Sequence, residues 1–186
     1  MKILIVKSSY RKGSNSSILA DRVLEGAKAA GADVEVIDIG RLVISNCRGC
    51  YGCLAPNADF CVVNDAMHPF YKSIFEADAI VFASPVYWFS ICGQAKQFID
   101  RMFAVAVLPS KPFSKKKLAA VFSFEDTDEI TSGCINAIKT FENICGLTEA
   151  QWIGSVYGSM NELNEADNKP ELQEAAYNLG KAVVEA

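Results

Sequence analysis

Lys2-Ile3-Leu4-Ile5-Val6-Lys7 is an apolar run with polar residues only at its ends, which predicts a first strand buried on both faces. From Ile18 to Leu24 apolar residues recur at helical spacing, so a helix follows. Asp33 to Asp38 alternates polar and apolar, a second strand. Beyond Ile39-Gly40 no period holds until about residue 64. Asp65 to Asp78 then places Met67, Phe70, Tyr71, Ile74 and Phe75 on one helical face, with Asp65 available as a cap. Ala79 to Ala83 is a continuous apolar third strand, and Ser84 to Cys92 reads as the loop after it. Gly93 to Ala104 has Ala95, Phe98, Ile99 and Met102 in helical register. Lys111 to Ser114 reads as a loop, and Lys115-Lys116-Lys117 as a solvated edge before the fourth strand, Leu118 to Phe122. Four further segments follow: a polar loop from Ser123 to Asp128, a helix from about Glu129 to Cys145 closed by Gly146, a fifth strand from Gln151 to Tyr157 and a helix from Pro170 to Glu185.

Strand and helix alternate throughout, which implies right-handed crossovers and an α/β sandwich with helices on both faces of a parallel sheet. Five strands point to the flavodoxin-like order 2-1-3-4-5, with a ligand crevice outside the carboxyl ends of strands 1 and 3. The 186 residues are expected to form a single domain, 1–186, with a cysteine-rich insert at about 45–64. A net charge of −4 argues against a nucleic-acid partner. Met1 runs directly into the first strand and no apolar run reaches membrane-spanning length, so a cytoplasmic protein with no membrane partner is expected.

The first strand-to-helix turn, Ser8-Ser9-Tyr10-Arg11-Lys12-Gly13-Ser14-Asn15-Ser16-Ser17, is rich in hydroxyls and cations. Unpaired N–H groups of a helix's first turn carry roughly +0.5 of a charge and suit a phosphate. Ser9, Ser14, Ser16 and Ser17 add hydroxyls, Asn15 an amide, Arg11 and Lys12 full charges. Ordinary capping would account for one such residue rather than the whole set. Neither a G-x-x-x-x-G-K-[ST] nor a G-x-G-x-x-G pattern is present, so a phosphate monoester fits better than a triphosphate or a dinucleotide pyrophosphate.

The segment after the third strand, Ser84-Pro85-Val86-Tyr87-Trp88-Phe89-Ser90-Ile91-Cys92, opens into the same crevice. Pro85, Val86, Tyr87, Trp88 and Phe89 there offer a planar surface and backbone amides to the edge of a ring, although aromatics also pack under helices or into subunit contacts. A phosphate at one end and a flat ring at the other describe FMN. A phospho-receiver domain is set aside, because Ser84-Pro85 stands where its acceptor aspartate would be and Ser8-Ser9 where its paired acids would be.

Four of seven cysteines, Cys47, Cys50, Cys53 and Cys61, follow a C-x2-C-x2-C-x7-C spacing. Thiolates so close can curl around a [4Fe–4S] cubane, whereas structural zinc takes two separated C-x2-C knuckles. Zinc, cluster-free redox thiols and cysteines that pack as small hydrophobes remain the alternatives. Cys92, Cys134 and Cys145 stand singly and read as packing residues, and His68, the one histidine, reads as a surface or packing residue rather than a catalyst.

Three stretches together resemble the NADPH-dependent FMN reductase and iron–sulfur flavoprotein superfamily: Ser9 to Ser16, Cys47 to Asp65, and Ser84 to Arg101. The resemblance implies FMN phosphate binding at Ser9, Arg11, Ser14, Asn15 and Ser16, isoalloxazine contacts from Pro85 to Phe89, and a [4Fe–4S] cluster on the four cysteines that exchanges electrons with FMN. It also implies a homodimer or homotetramer. Two departures stand out: Tyr10 where relatives commonly have proline, and Ser123-Phe124-Glu125-Asp126-Thr127 where many have a glycine-rich turn on the flavin. Ser123 remains a candidate flavin contact, while the carboxylates beside it are expected either to disfavour an anionic reduced flavin or to repel a phosphorylated nicotinamide. The reading is an FMN-dependent oxidoreductase linking NAD(P)H or a ferredoxin-like protein to an acceptor, with no protein side chain acting as acid or base. Two rivals remain: a non-enzymatic electron carrier or thiol sensor, and a cluster-free NAD(P)H-dependent flavin or quinone reductase.

Overall fold

The computed structural model describes residues 1–186. Strands β1 (Lys2–Lys7), β2 (Asp33–Asp38), β3 (Ala79–Tyr87), β5 (Lys117–Phe124) and β6 (Gln151–Ser159) form one parallel sheet in the order β2-β1-β3-β5-β6. Helices α1 (Asn15–Ala29), α2 (Phe70–Glu76), α3 (Gly93–Ala106), α4 (Cys134–Thr148) and α5 (Pro170–Glu185) connect or follow them. The path of the parallel strands is the one the alternation predicts. A sixth strand, β4 (Ser90–Ile91), corrects the five-strand count.

Alternate side chains along each inner strand feed two cores. Leu4, Val6, Ile80, Phe82, Leu118 and Phe122 face α2, α3 and α4. Phe141 of α4 lies 4.9 Å from Phe82 and stacks at 6.1 Å on Trp152. On the opposite face Ile3, Ile5, Val81 and Val121 meet Leu19 and Val23 of α1 and Leu179 and Val183 of α5. The singly placed Cys92, Cys134 and Cys145 are buried, as their pattern predicts, and burial pushes the thiols of Cys134 and Cys145 up to about 12 and about 11. No helix is long and apolar enough to cross a membrane.

Several expected boundaries move, each for a physical reason. The segment from Ser84 is not a loop: β3 continues through Tyr87 and folds back on β4, pairing Val86 with Ile91 and Tyr87 with Ser90. The helix expected from Asp65 begins at Phe70, because Pro69 disfavours helical backbone before it and Asp65 is drawn to other partners. Phe75, expected on its buried face, is exposed. The helix expected from Glu129 begins at Cys134, since the Asp128 carboxylate accepts the N–H groups of Ile130 and Thr131 and holds a local turn instead. Gly146 lies inside that helix, which ends at Thr148. Lys116 is buried rather than solvated: its ammonium donates to the carbonyls of Phe75 and Ala77 at the end of α2, and burial lowers it to about 8.

Candidate functional site

The first turn leaves β1 at the carboxyl edge of the sheet and enters α1 at Ser14. Ser14 occupies the cap position, yet its hydroxyl makes no capping bond. It lies 3.0 Å from the hydroxyl of Ser16. The first-turn N–H groups at Asn15 and Ser16 have no intrahelical acceptor, so they face the turn unmet by the cap. The Ser9 hydroxyl accepts from Arg11 N–H at 3.3 Å, folding the turn over itself and leaving the hydroxyl proton free to donate. Gly13 has φ +69, and a Cβ there would come within 2.4 Å of Asn164 Oδ1. Gly13 is therefore the turn residue that the neighbouring segment requires.

Ser9, Arg11, Ser14 and Asn15 line one end of a cavity of about 470 Å³, and Pro85 to Phe89 line another side. That volume lies within the range of small-molecule and cofactor sites, roughly 300–1,000 Å³. Ser123 to Asp126 form a further wall, so Ser123 joins the cavity with Glu125 and Asp126 beside it. Ser16 and Lys12 do not line it. Ser16 is buried behind Ser14, and Lys12 faces an adjoining cleft with Tyr10 and Arg41. Arg41 donates to the Tyr10 carbonyl at 3.3 Å and lies 5.0 Å over the Tyr10 ring.

The aromatic wall is a hairpin under backbone strain. Trp88 and Phe89 both hold positive φ, 49° and 65°, the primed-turn geometry that glycine and asparagine usually supply. Buried Ser84 braces its base by accepting Cys92 N–H at 3.1 Å. The start of α4 braces its tip: Asn136 Nδ2 donates to the Phe89 carbonyl at 3.1 Å, and Gly133 packs so closely that a Cβ would lie 2.5 Å from Phe89 Cα. Trp88 itself is 92% exposed at the cavity rim.

The segment after β6 also belongs to the site, although no period or motif in the sequence marks it. Met160 to Leu163 close the cavity opposite the hairpin, and Ser132 joins from the turn before α4. Asn15 holds that segment: Nδ2 donates to the Glu162 carbonyl at 2.8 Å, and Oδ1 accepts Ala166 N–H at 3.0 Å. The available signal was topological, because whatever follows the last parallel strand emerges on the crevice side.

A second, largely apolar cavity of about 390 Å³ lies between the cysteine segment and helices α3 and α4. Cys47, Cys50, Cys53 and Cys61 all line it. The four thiols thus share one cavity, and the donor set suits a thiolate-bound group. They are not drawn into a ligand cluster, since no three His, Cys, Asp or Glu side chains are grouped to hold a metal. Burial raises the Cys53 thiol. At Cys61 burial also acts upward, but Val63 N–H, the Tyr71 hydroxyl and the Arg101 guanidinium outweigh it and lower the thiol. His68 packs edge-on against Tyr71 and touches neither cavity.

Arg101, which in the sequence stands only at the end of the Ser84–Arg101 stretch, is 1% exposed and governs this region. Its guanidinium pairs with Asp65 at 2.8 and 3.3 Å. It also donates to the carbonyls of Ser45 at 2.9 Å and Val63 at 3.0 Å, and to the Tyr71 hydroxyl at 3.0 Å. Asp65 in turn accepts the N–H groups of Ser45 and Met67. Burial pushes the Asp65 carboxyl up, but Arg101 and these amides dominate and hold it at about 2.

The chain is 30% identical over 186 residues to the "Iron-sulfur flavoprotein" of Archaeoglobus fulgidus, covering all of this chain and 80% of that relative. It is 34% identical over 124 residues to the "Iron-sulfur flavoprotein" of Methanosarcina thermophila, covering 66% of this chain and 62% of the relative. Its fold matches an "NAD(P)H:quinone oxidoreductase from Methanothermobacter marburgensis" with a TM-score of 0.73 at 15% identity, over 97% of this chain and 96% of that one. The family described as NADPH-dependent FMN reductase matches residues 1–160. With that match spanning both walls of the crevice, the chain belongs to the NADPH-dependent FMN reductase family of FMN-dependent oxidoreductases.

Proposed function

We propose that the crevice cavity holds FMN, with the phosphate at the first turn and the isoalloxazine against the Pro85–Phe89 hairpin. One observation carries this reading: a single cavity joins an uncapped helix N-terminus flanked by Ser9, Arg11 and Ser14 to an exposed aromatic hairpin. The hydroxyls of Ser9 and Ser14 and the N–H of Asn15 donate to the phosphate, and Arg11 balances its charge. Lys12 and Ser16 act from behind, one through its field and the other by orienting the Ser14 hydroxyl. Backbone amides from Val86 to Trp88 meet the ring edge, and Tyr87, Trp88 and Phe89 exclude water from it. FMN supplies hydride and single-electron chemistry when bound. Glu125 and Asp126 at the rim disfavour anionic groups and so bias which reduced donor, NAD(P)H or a ferredoxin-like protein, can approach.

Cys47, Cys50, Cys53 and Cys61 are proposed to hold a [4Fe–4S] cluster, which supplies one-electron transfer when bound. The shared cavity and the names of the two curated relatives support this. The resemblance to iron–sulfur flavoproteins likewise supports a homodimer or homotetramer. A cluster-free flavin or quinone reductase is the second reading, since the first turn and the hairpin line one cavity without any of the four cysteines. The anaerobic visible spectrum of the purified protein, before and after NADPH and then dithionite, tests both. Flavin bands on a broad absorbance that bleaches on reduction support the two-centre reading. Flavin bands alone, with no iron taken up on reconstitution, leave the cluster-free reductase. No flavin after FMN is supplied contradicts both.

A further inference from the structure

The four cysteines of the proposed cluster lie between two carbonyls, Ser45 and Val63, and both accept from the same guanidinium. Asp65 closes the ring, taking two contacts from Arg101 and the N–H of Ser45 at 2.8 Å. One residue of α3 thereby fastens the neck of the cysteine segment at both ends. One turn earlier on the same face of α3, Gln97 Nε2 donates to Asn46 Oδ1 at 3.0 Å. The helix that carries these anchors starts at Gly93, directly after the flavin hairpin, and Arg101 lies roughly 12 Å further along it at 1.5 Å per residue.

We infer that Arg101 is a positioning residue for the four-thiol site: it closes the neck of the cysteine segment before any ligand binds and fixes that segment's place relative to the flavin hairpin. The inference rests on the proposed use of these cysteines as a cluster site. The physical reason is entropic. A loop already closed at its ends gives up less freedom when its thiolates are gathered. Closure here depends on geometry as well as charge. A planar guanidinium can grip a carboxylate and still donate to two carbonyls and a hydroxyl, whereas an ammonium has three donors and no fork. Lysine at this position would keep the ion pair and lose the bridge across the neck.

The experiment compares wild type, Arg101→Lys and Gln97→Ala as full-length proteins. Three readouts are FMN affinity from flavin fluorescence quenching, iron and sulfide retained after anaerobic reconstitution, and the rate at which the unreconstituted thiols react with DTNB. Arg101→Lys is expected to bind FMN as wild type does while losing about 10- to 100-fold in iron affinity, the usual loss when a group that orients metal ligands is removed. Its two half-buried thiols, Cys53 and Cys61, should react about tenfold faster, the equivalent of about 1.4 kcal/mol, while the exposed Cys47 and Cys50 react as in wild type. Gln97→Ala, altered on a half-buried side chain that leaves the Arg101–Asp65 pair intact, should move the same two readouts in the same direction by less. If Arg101→Lys does not fold, Gln97→Ala decides alone. Wild-type iron uptake and thiol rates in the variants would overturn the inference. If wild type itself takes up no iron while binding FMN, the cluster reading falls, and the thiol rates still decide whether Arg101 closes the neck.

Discussion

The Asn136 amide donates to the Phe89 carbonyl at 3.1 Å and fastens the start of α4 to the tip of the β3–β4 hairpin. Two consecutive non-glycine residues with positive φ do not hold that shape unaided. The hairpin therefore owes its form to a neighbour that is distant in sequence.

Asn136→Ala should weaken FMN binding by about fivefold, the equivalent of one hydrogen bond near 1 kcal/mol. Gly133→Ala should do more damage. Its φ of +75 and the 2.5 Å approach to Phe89 mean that the hairpin must shift, and a non-glycine residue in that region costs about 1–3 kcal/mol. Flavin titrations of the two variants, alongside urea unfolding, check the order.

Ser14 separates binding from capping. Because its hydroxyl makes no capping bond, Ser14→Ala should cost less stability than the usual cap loss of about 1 kcal/mol. FMN affinity should fall about tenfold through one lost bond to a charged group, while riboflavin affinity stays unchanged. Parallel titrations with the two flavins read this directly. Equal losses for both would remove Ser14 from the phosphate site.

Asp65 links the cysteine segment to pH. Its folded carboxyl sits at about 2 against an ordinary 3.8, so the ionised form is favoured by folding. The stability it contributes is fully present above about pH 4 and is lost as pH falls toward about 2. Asp65→Asn should flatten that acid dependence of the urea midpoint. It should also destabilise the protein at pH 7 by about 3–5 kcal/mol, because Arg101 would remain buried without its partner.

Local pattern carried the reading a long way where the physics is local. The apolar run of β1, the hydroxyl-rich turn and the helical register of α1 place the first loop at the crevice, and strand–helix alternation orders the parallel sheet. It failed where distant residues decide. No turn residue signals the β3–β4 hairpin, since Trp88 and Phe89 replace the glycine or asparagine that would mark it. Lys116 looked solvated because the carbonyls that bury it lie some forty residues earlier in the chain. Asp65 looked like a helix cap because Arg101, its partner, belongs to the next helix. Met160 to Leu163 carry no period or motif, and Asn15 together with the Gly13 and Phe124 carbonyls, all distant in sequence, brings them to the cavity.

The crevice is tested as a flavin site by titrating the flavin-free protein with FMN and following isoalloxazine absorbance and fluorescence. Saturation is expected at one equivalent per chain, with quenched flavin emission and a resolved shift of the flavin bands as the ring leaves water for the hairpin. Emission that stays at the level of free FMN throughout the titration would mean that the crevice between the first turn and Pro85–Phe89 is not a flavin site.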